Sequence, residues 1–146
     1  MKPESDPIDD NEWLLRRVRS ERFRTDEVPI ISPNAFEPRT KGRDVDLDGI
    51  SFYRESCISS PADVLAGIDP DKRTQIGIVR IQVRSLVAIG LTVRVVRDSR
   101  IAGHVVVPEL NSEDYSRDKA KFTHIKLRLA EMASDNVVVW PTWASQ

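Results

Sequence analysis

Asp44-Val-Asp-Leu-Asp-Gly-Ile-Ser-Phe-Tyr-Arg-Glu55 can be read in two ways, and the choice between them decides the fold. As letters, the stretch satisfies the loop of an EF-hand. Asp44, Asp46, Asp48, the Ile50 carbonyl and Glu55 stand where calcium takes its oxygens, and Gly49 stands at the turn. Such a loop needs a helix on either side. Pro33, Pro38 and Gly42 precede it and Ser59, Ser60 and Pro61 follow it, so neither flank carries the apolar stripe of a helix. Val45 and Leu47 alternate with the aspartates, while Ile50, Phe52 and Tyr53 favour extended backbone. The stretch therefore reads as an Asp48-Gly49 turn feeding a strand. A calcium site made by Asp44, Asp46, Asp48 and Glu55 is the alternative.

Downstream, Ser60-Pro61-Ala62-Asp63 opens a helical turn with proline at its first position, and Gly67 stops it. From Ile76 the period becomes two. Val79, Ile81 and Val83 alternate with Arg80, Gln82 and Arg84, and Leu91, Val93 and Val95 repeat the pattern against Thr92, Arg94 and Arg97. Ser85 to Gly90 is at most a short helical connection. Asp98-Ser99-Arg100 turns the chain into Ile101 to Val107, closed by Pro108. Residues 76 to 108 thus predict three strands of one sheet, mostly antiparallel because the loops between them are too short for crossovers. The best helix spans 112–134: Ser112 or Ser116 can cap it, Glu113 and Asp114 suit the positive end of its dipole, and Phe122, Ile125, Leu129 and Met132 fall on one stripe. Val137 to Trp140 is a last strand that Pro141 ends.

Upstream, Trp13-Leu14-Leu15-Arg16-Arg17-Val18 reads as a first strand, with a helix from Asn11 to Arg22 as the other possibility. The prolines and charges between Ser20 and Lys41 make an ordered loop. Residues 1–10 hold four acids and two prolines with almost nothing apolar, the composition of a flexible leader. The expectation is an α+β fold: residues 11–146 as a single domain, with a mostly antiparallel sheet of five or six strands and one long C-terminal helix packed on one face.

At 146 residues the chain is long enough to bury a core without metal or disulfide. Its 22 Lys and Arg balance 23 Asp and Glu, so nothing global draws it to nucleic acid or to an anionic membrane. Cys57 is the single cysteine and cannot form an internal bridge, and no apolar run reaches the length of a signal peptide or a membrane span. A cytoplasmic, soluble protein is expected. Serine triads, glycine-rich phosphate loops and CxxC pairs are absent from the sequence, which leaves Cys57, with no histidine near it in sequence, as an unreactive thiol.

Adjacent arginines in a strand point to opposite faces, so either Arg16 or Arg17 lies along the core face. There it needs a carboxylate, for which Asp46 or Asp48 is the candidate, or a bound anion. His104 stands in a strand beside Gly103, where a ligand or another backbone can approach, and it serves as a general base, as a ligand-binding group or as a satisfied core histidine. Arg117, Lys121, His124 and Arg128 lie at spacings of four, three and four, which places them on one face of the long helix. That face suits a phosphate or an acidic partner. Without interleaved aromatics or a helix-turn-helix, sequence-specific nucleic-acid binding is not expected.

The blocks Leu14-Leu15-Arg16-Arg17-Val18, Ser32-Pro33-Asn34-Ala35-Phe36, Asp48-Gly49-Ile50-Ser51, Pro61-Ala62-Asp63-Val64-Leu65, Ala88-Ile89-Gly90-Leu91, Gly103-His104 and Trp140-Pro141 occur in an order that resembles a family of small uncharacterised bacterial proteins. That resemblance implies a bacterial single-domain protein and supplies no activity. A more distant likeness is to ADP-ribosyltransferase-type folds, in which Arg17 and Ser51 or Tyr53 imitate two of the three site positions. The late glutamate has no convincing counterpart, Glu109 and Glu131 being nominal candidates. The functional expectation is a non-enzymatic accessory module that binds a protein partner or a phosphate-bearing ligand through Arg17, Tyr53, His104 and the Arg117–Arg128 face. The competing readings are an NAD-consuming transferase and a calcium module.

Overall fold

The computed structural model describes residues 1–142, so the last four residues of the expected domain lie outside the described residues. Strand β1 (Trp13–Arg19) organises the sheet. It pairs antiparallel with β3 (Ile76–Gln82) over its whole length, from Trp13↔Gln82 to Arg19↔Ile76. With β2 (Ile50–Arg54) it pairs only at Leu14↔Arg54 and Leu15↔Tyr53. Strands β4 (Arg94–Val95), β5 (His104–Val107) and β6 (Val137–Val139) complete a six-stranded antiparallel sheet in the order β4-β5-β2-β1-β3-β6.

The turn-and-strand reading of 44–55 is what the chain adopts: β2 starts at Ile50, directly after Gly49. Gly49 has φ +117°, and a Cβ built there would fall 2.2 Å from the Val107 carbonyl oxygen, so the turn requires glycine. Residues 76–108 contribute three strands to this one sheet, as expected, but only β4 and β5 are neighbours, β3 being separated from them by β2 and β1. A single-turn helix α1 (Pro70–Arg73) precedes β3, and helix α2 (Val83–Ala88) with the stretch after it carries the chain from β3 to the far edge, where only Arg94 and Val95 pair. Leu91 turns inward and is buried instead.

Both faces of the sheet are covered. On one, Leu14, Val18, Phe52, Val79, Ile81 and Val105 pack with Phe36, Leu129, Ala130 and Ala133 into the main core. On the other, Leu15, Tyr53, Ile78 and Ile101 form a smaller cluster under the 3-10 turn Pro61–Leu65, whose Ser60 and Asp63 make a capping box. Leu14 and Leu15 are each 0 % exposed, one per face.

The segment 112–134 is helical and packs on the sheet, but in two pieces. Helix α3 (Ser112–Arg117) is capped by Asn111, whose side-chain oxygen accepts the Asp114 N–H at 2.9 Å, in place of Ser112 or Ser116. A 3-10 turn (Lys119–Phe122) then leads into α4 (Thr123–Ser134). The chain leaves helical geometry at Asp118 (φ −153°, ψ 83°). Every residue from Ser116 to Lys121 is exposed, so burial does not hold this stretch and the weak helix preference of aspartate decides its conformation.

Residues 1–10, expected to be a flexible leader, are tied to the domain. The Arg54 guanidinium takes the carbonyls of Glu4, Asp6 and Pro7, the Lys2 N–H donates to the Ser56 carbonyl at 2.6 Å, and Ile8 packs against the main core. Composition missed this because backbone carbonyls carry most of the contact. Among the described residues no helix is long and apolar enough to cross a membrane.

Candidate functional site

Arg16 and Arg17 do point to opposite faces of β1, and Arg16 takes the core side. Its Nε and Nη2 donate to the Ala35 carbonyl at 3.1 and 2.8 Å and its Nη1 to the Ser51 carbonyl at 2.8 Å, while its guanidinium carbon lies 5.5 Å from the Phe36 ring centre and 5.6 Å from that of Phe52. It forms no salt bridge with the other described residues. Asp48 pairs with Arg94 instead, and Asp46 acts on Arg16 only through its field. Burial is the largest influence on Arg16 and lowers its pKa to about 10, with Asp46 pulling upward and Arg17 downward. These carbonyl bonds leave part of the donor fork free of protein acceptors.

The space around Arg16 exists because β1 and β2 part after Leu15. The 3-10 turn Pro33–Phe36 and the loop 37–46 occupy the gap and enclose a cleft of about 360 Å³. Its walls carry Arg16, Arg17, Arg19, Arg22, Arg39 and Lys41, against the carboxylates of Glu21, Glu37 and Asp46. Two of those carboxylates are engaged by the protein. Asp46 Oδ2 accepts the Arg39 N–H at 2.7 Å and the Asp46 N–H returns to the Arg39 carbonyl at 2.9 Å, closing the base of the 39–46 loop. Glu37 lies 3.9 Å from Nζ of Lys126, a buried lysine that also donates to Tyr115 Oη at 2.9 Å and Asn34 Oδ1 at 3.1 Å. Arg19, Arg22 and Lys41 enter no salt bridge with described residues.

On the opposite face the expected trio comes together. The Arg17 guanidinium carbon sits 5.6 Å from the Tyr53 ring centre, and the Tyr53 and His104 rings stack at 5.1 Å and 25°. The Arg17 guanidinium and the imidazole therefore lie within about 11 Å of one another. His104 is satisfied by protein: Nε2 meets Ser51 Oγ at 2.8 Å and Nδ1 meets Ser99 Oγ at 2.9 Å. Burial first, and then the charge of Arg17, lower its pKa, so the ring is neutral near pH 7 and donates through one nitrogen while accepting through the other. Tyr53 is 5 % exposed. Of the three, only Arg17 lines the cleft, and its guanidinium stays over Tyr53, with Nη1 3.5 Å from the Val64 carbonyl.

The other sequence candidates lie elsewhere. Arg117 ends α3 and pairs with Glu113 at 2.9 Å, Lys121 is in the 3-10 turn, and only His124 and Arg128 share α4, so the break at Asp118 dissolves the four-cation face. The EF-hand loop is likewise replaced. Asp44 pairs with Arg39 at 3.6 Å, Asp48 with Arg94 at 3.7 Å and Glu55 with Arg80 at 3.4 Å, and β2 stretches the chain by roughly 13 Å between the turn and Glu55. Among the described residues no group of three or more His, Cys, Asp or Glu is placed to hold a metal ion. Glu109 accepts the Thr92 N–H at 2.8 Å, Glu131 is exposed on α4, and Cys57 is buried.

Sequence reasoning overlooked Lys126 and the pair Glu12–Arg54. Arg54, 1 % exposed, donates from Nε and Nη2 to the Glu12 carboxylate at 2.8 and 3.0 Å. The signals were present: Lys126 interrupts the apolar stripe between Phe122 and Leu129, and Arg54 follows Phe52 on the core face of β2. No protein-family model matches the chain, and no curated protein or solved structure is significantly similar to it, so these comparisons bear on neither of the resemblances in the sequence.

Proposed function

We propose that this protein is a non-enzymatic accessory module that holds a phosphate-bearing ligand in the cleft between β1 and the 37–46 loop. One observation carries the reading: six cations line a cleft with three carboxylates, and the innermost cation, Arg16, is held by carbonyls rather than by an acid. A desolvated guanidinium without a carboxylate is costly, and a bound anion offsets that cost through charge-assisted, bidentate hydrogen bonds. Arginine outnumbers lysine on the walls, which suits the fork geometry of phosphate. Arg16 is fixed by the Ala35 and Ser51 carbonyls, so its guanidinium is oriented before the ligand arrives. A bacterial cytosolic setting belongs to the same reading, and a protein that carries the phosphate is as acceptable as a small molecule.

The test is titration calorimetry with inorganic phosphate at low and high salt, on the wild type and on Arg19→Ala/Arg22→Ala. These two side chains form no salt bridge, so the variant should melt within about 1 °C of the wild type, surface changes of this kind costing little. Binding should weaken with salt and fall about tenfold in the variant. Equal affinity in both proteins, or none in the wild type, removes the reading.

A further inference from the structure

We propose that the cleft selects a diphosphate moiety over a single phosphate, an inference that rests on the cleft being the ligand site. Six cations against three carboxylates leave three positive charges, and Lys126 stands behind Glu37 and offsets one of those carboxylates from outside the cleft. One phosphoryl group carries about −1.5 to −2 at neutral pH, whereas two linked groups carry roughly twice that and balance the walls. Arg16 and Arg19 of β1 line one wall, while Arg39 and Lys41 of the clamped loop line the other, so cations flank the ligand on two sides. Arg16 forms the inner seat, fixed by Ala35 and Ser51; Lys41, on the exposed loop, belongs to the outer one.

Among the described residues the walls also lack a stacking surface. No aromatic side chain lines the cleft. Phe36, Phe52 and Tyr53, the nearby rings, are buried and turned to Arg16 and Arg17. A base or another flat group attached to the diphosphate finds no stacking platform and stays outside. Free pyrophosphate and a nucleoside diphosphate therefore present the same chemistry to the cleft.

Calorimetry in EDTA-containing buffer with orthophosphate, pyrophosphate and ADP tests this. Pyrophosphate and ADP should bind within about threefold of each other and about tenfold more tightly than orthophosphate, the gain expected of one or two added charge-assisted bonds. Lys41→Ala should lower pyrophosphate affinity severalfold and leave orthophosphate almost unchanged. If orthophosphate binds as well as pyrophosphate, the diphosphate inference falls while the cleft remains an anion site. ADP binding far more tightly than pyrophosphate also overturns it, since a base would then be read. If none of the three binds, the inference and the cleft reading fall together.

Discussion

Two arginines on the core face of the sheet meet opposite fates. Arg54 has Glu12 and is closed in by the carbonyls of residues 4–7, whereas Arg16 has carbonyls alone and opens on a cleft. A fully paired buried cation is a structural device, and one without an acid is where an anion belongs. The structural pair predicts a pH dependence. Burial raises the Glu12 pKa, but hydrogen bonds from Arg54, Ser56 and the Asp9 N–H outweigh it and bring the folded value down to about 2 from 4.5. A carboxylate depressed in the fold contributes stability that is present above its unfolded pKa, so this contribution is lost as pH falls from about 4.5 toward 2. The shift corresponds to about 3 kcal/mol. Glu12→Gln should lose that increment at pH 7 and show a flatter stability profile between pH 5 and pH 2, read by urea denaturation; an unchanged profile would contradict the assignment. Residue logic was partly legible in the sequence: it placed Arg16 or Arg17 against the core and gave each its own face. Applied to Arg54 it would have demanded a partner there too. It could not name Glu12, because that contact joins positions 42 residues apart in the chain.

At the scale of elements, alternation found β3, short apolar runs bounded by turns or prolines found β1, β5 and β6, and turn chemistry found β2. What escaped them were places where tertiary contact or its absence decides. The segment 112–134 lacks apolar residues between Tyr115 and Phe122 apart from Ala120, and it breaks there; residues 1–10 look like solvent-exposed chain, yet their carbonyls complete the shell of Arg54. Helix α4 has a second role that no stripe analysis assigns, since Lys126 on its buried side meets Asn34 and Glu37 from behind the cleft wall. Lys126→Met keeps the apolar stem and removes the charge. It should weaken pyrophosphate binding severalfold, because the Glu37 charge is then unopposed, and Glu37→Gln added to it should restore affinity. Failure of the second substitution to rescue the first would show that Lys126 acts by packing alone. Both variants are checked by the same calorimetry, with thermal melts reporting folding.

For the whole molecule, the α+β class and the antiparallel sheet follow from the alternation of residues 76–107, but the cleft was not legible. It depends on β1 continuing seven residues along β3 while keeping only two pairs with β2, a long-range mismatch that no local pattern encodes. Near-neutral overall charge also concealed it, since the cations that matter are scattered through residues 16–41 among acids. Strand β1 presents Arg16 and Arg19, and the clamped loop brings Arg39 and Lys41 opposite. The most direct measurement of this arrangement follows the arginine Nε–H resonances by NMR while pyrophosphate is added. The account predicts that Arg16, Arg19 and Arg22 shift together with one saturating affinity while Arg54 and Arg117 stay fixed; shifts at Arg117 or Arg128 with the cleft arginines unmoved would contradict it.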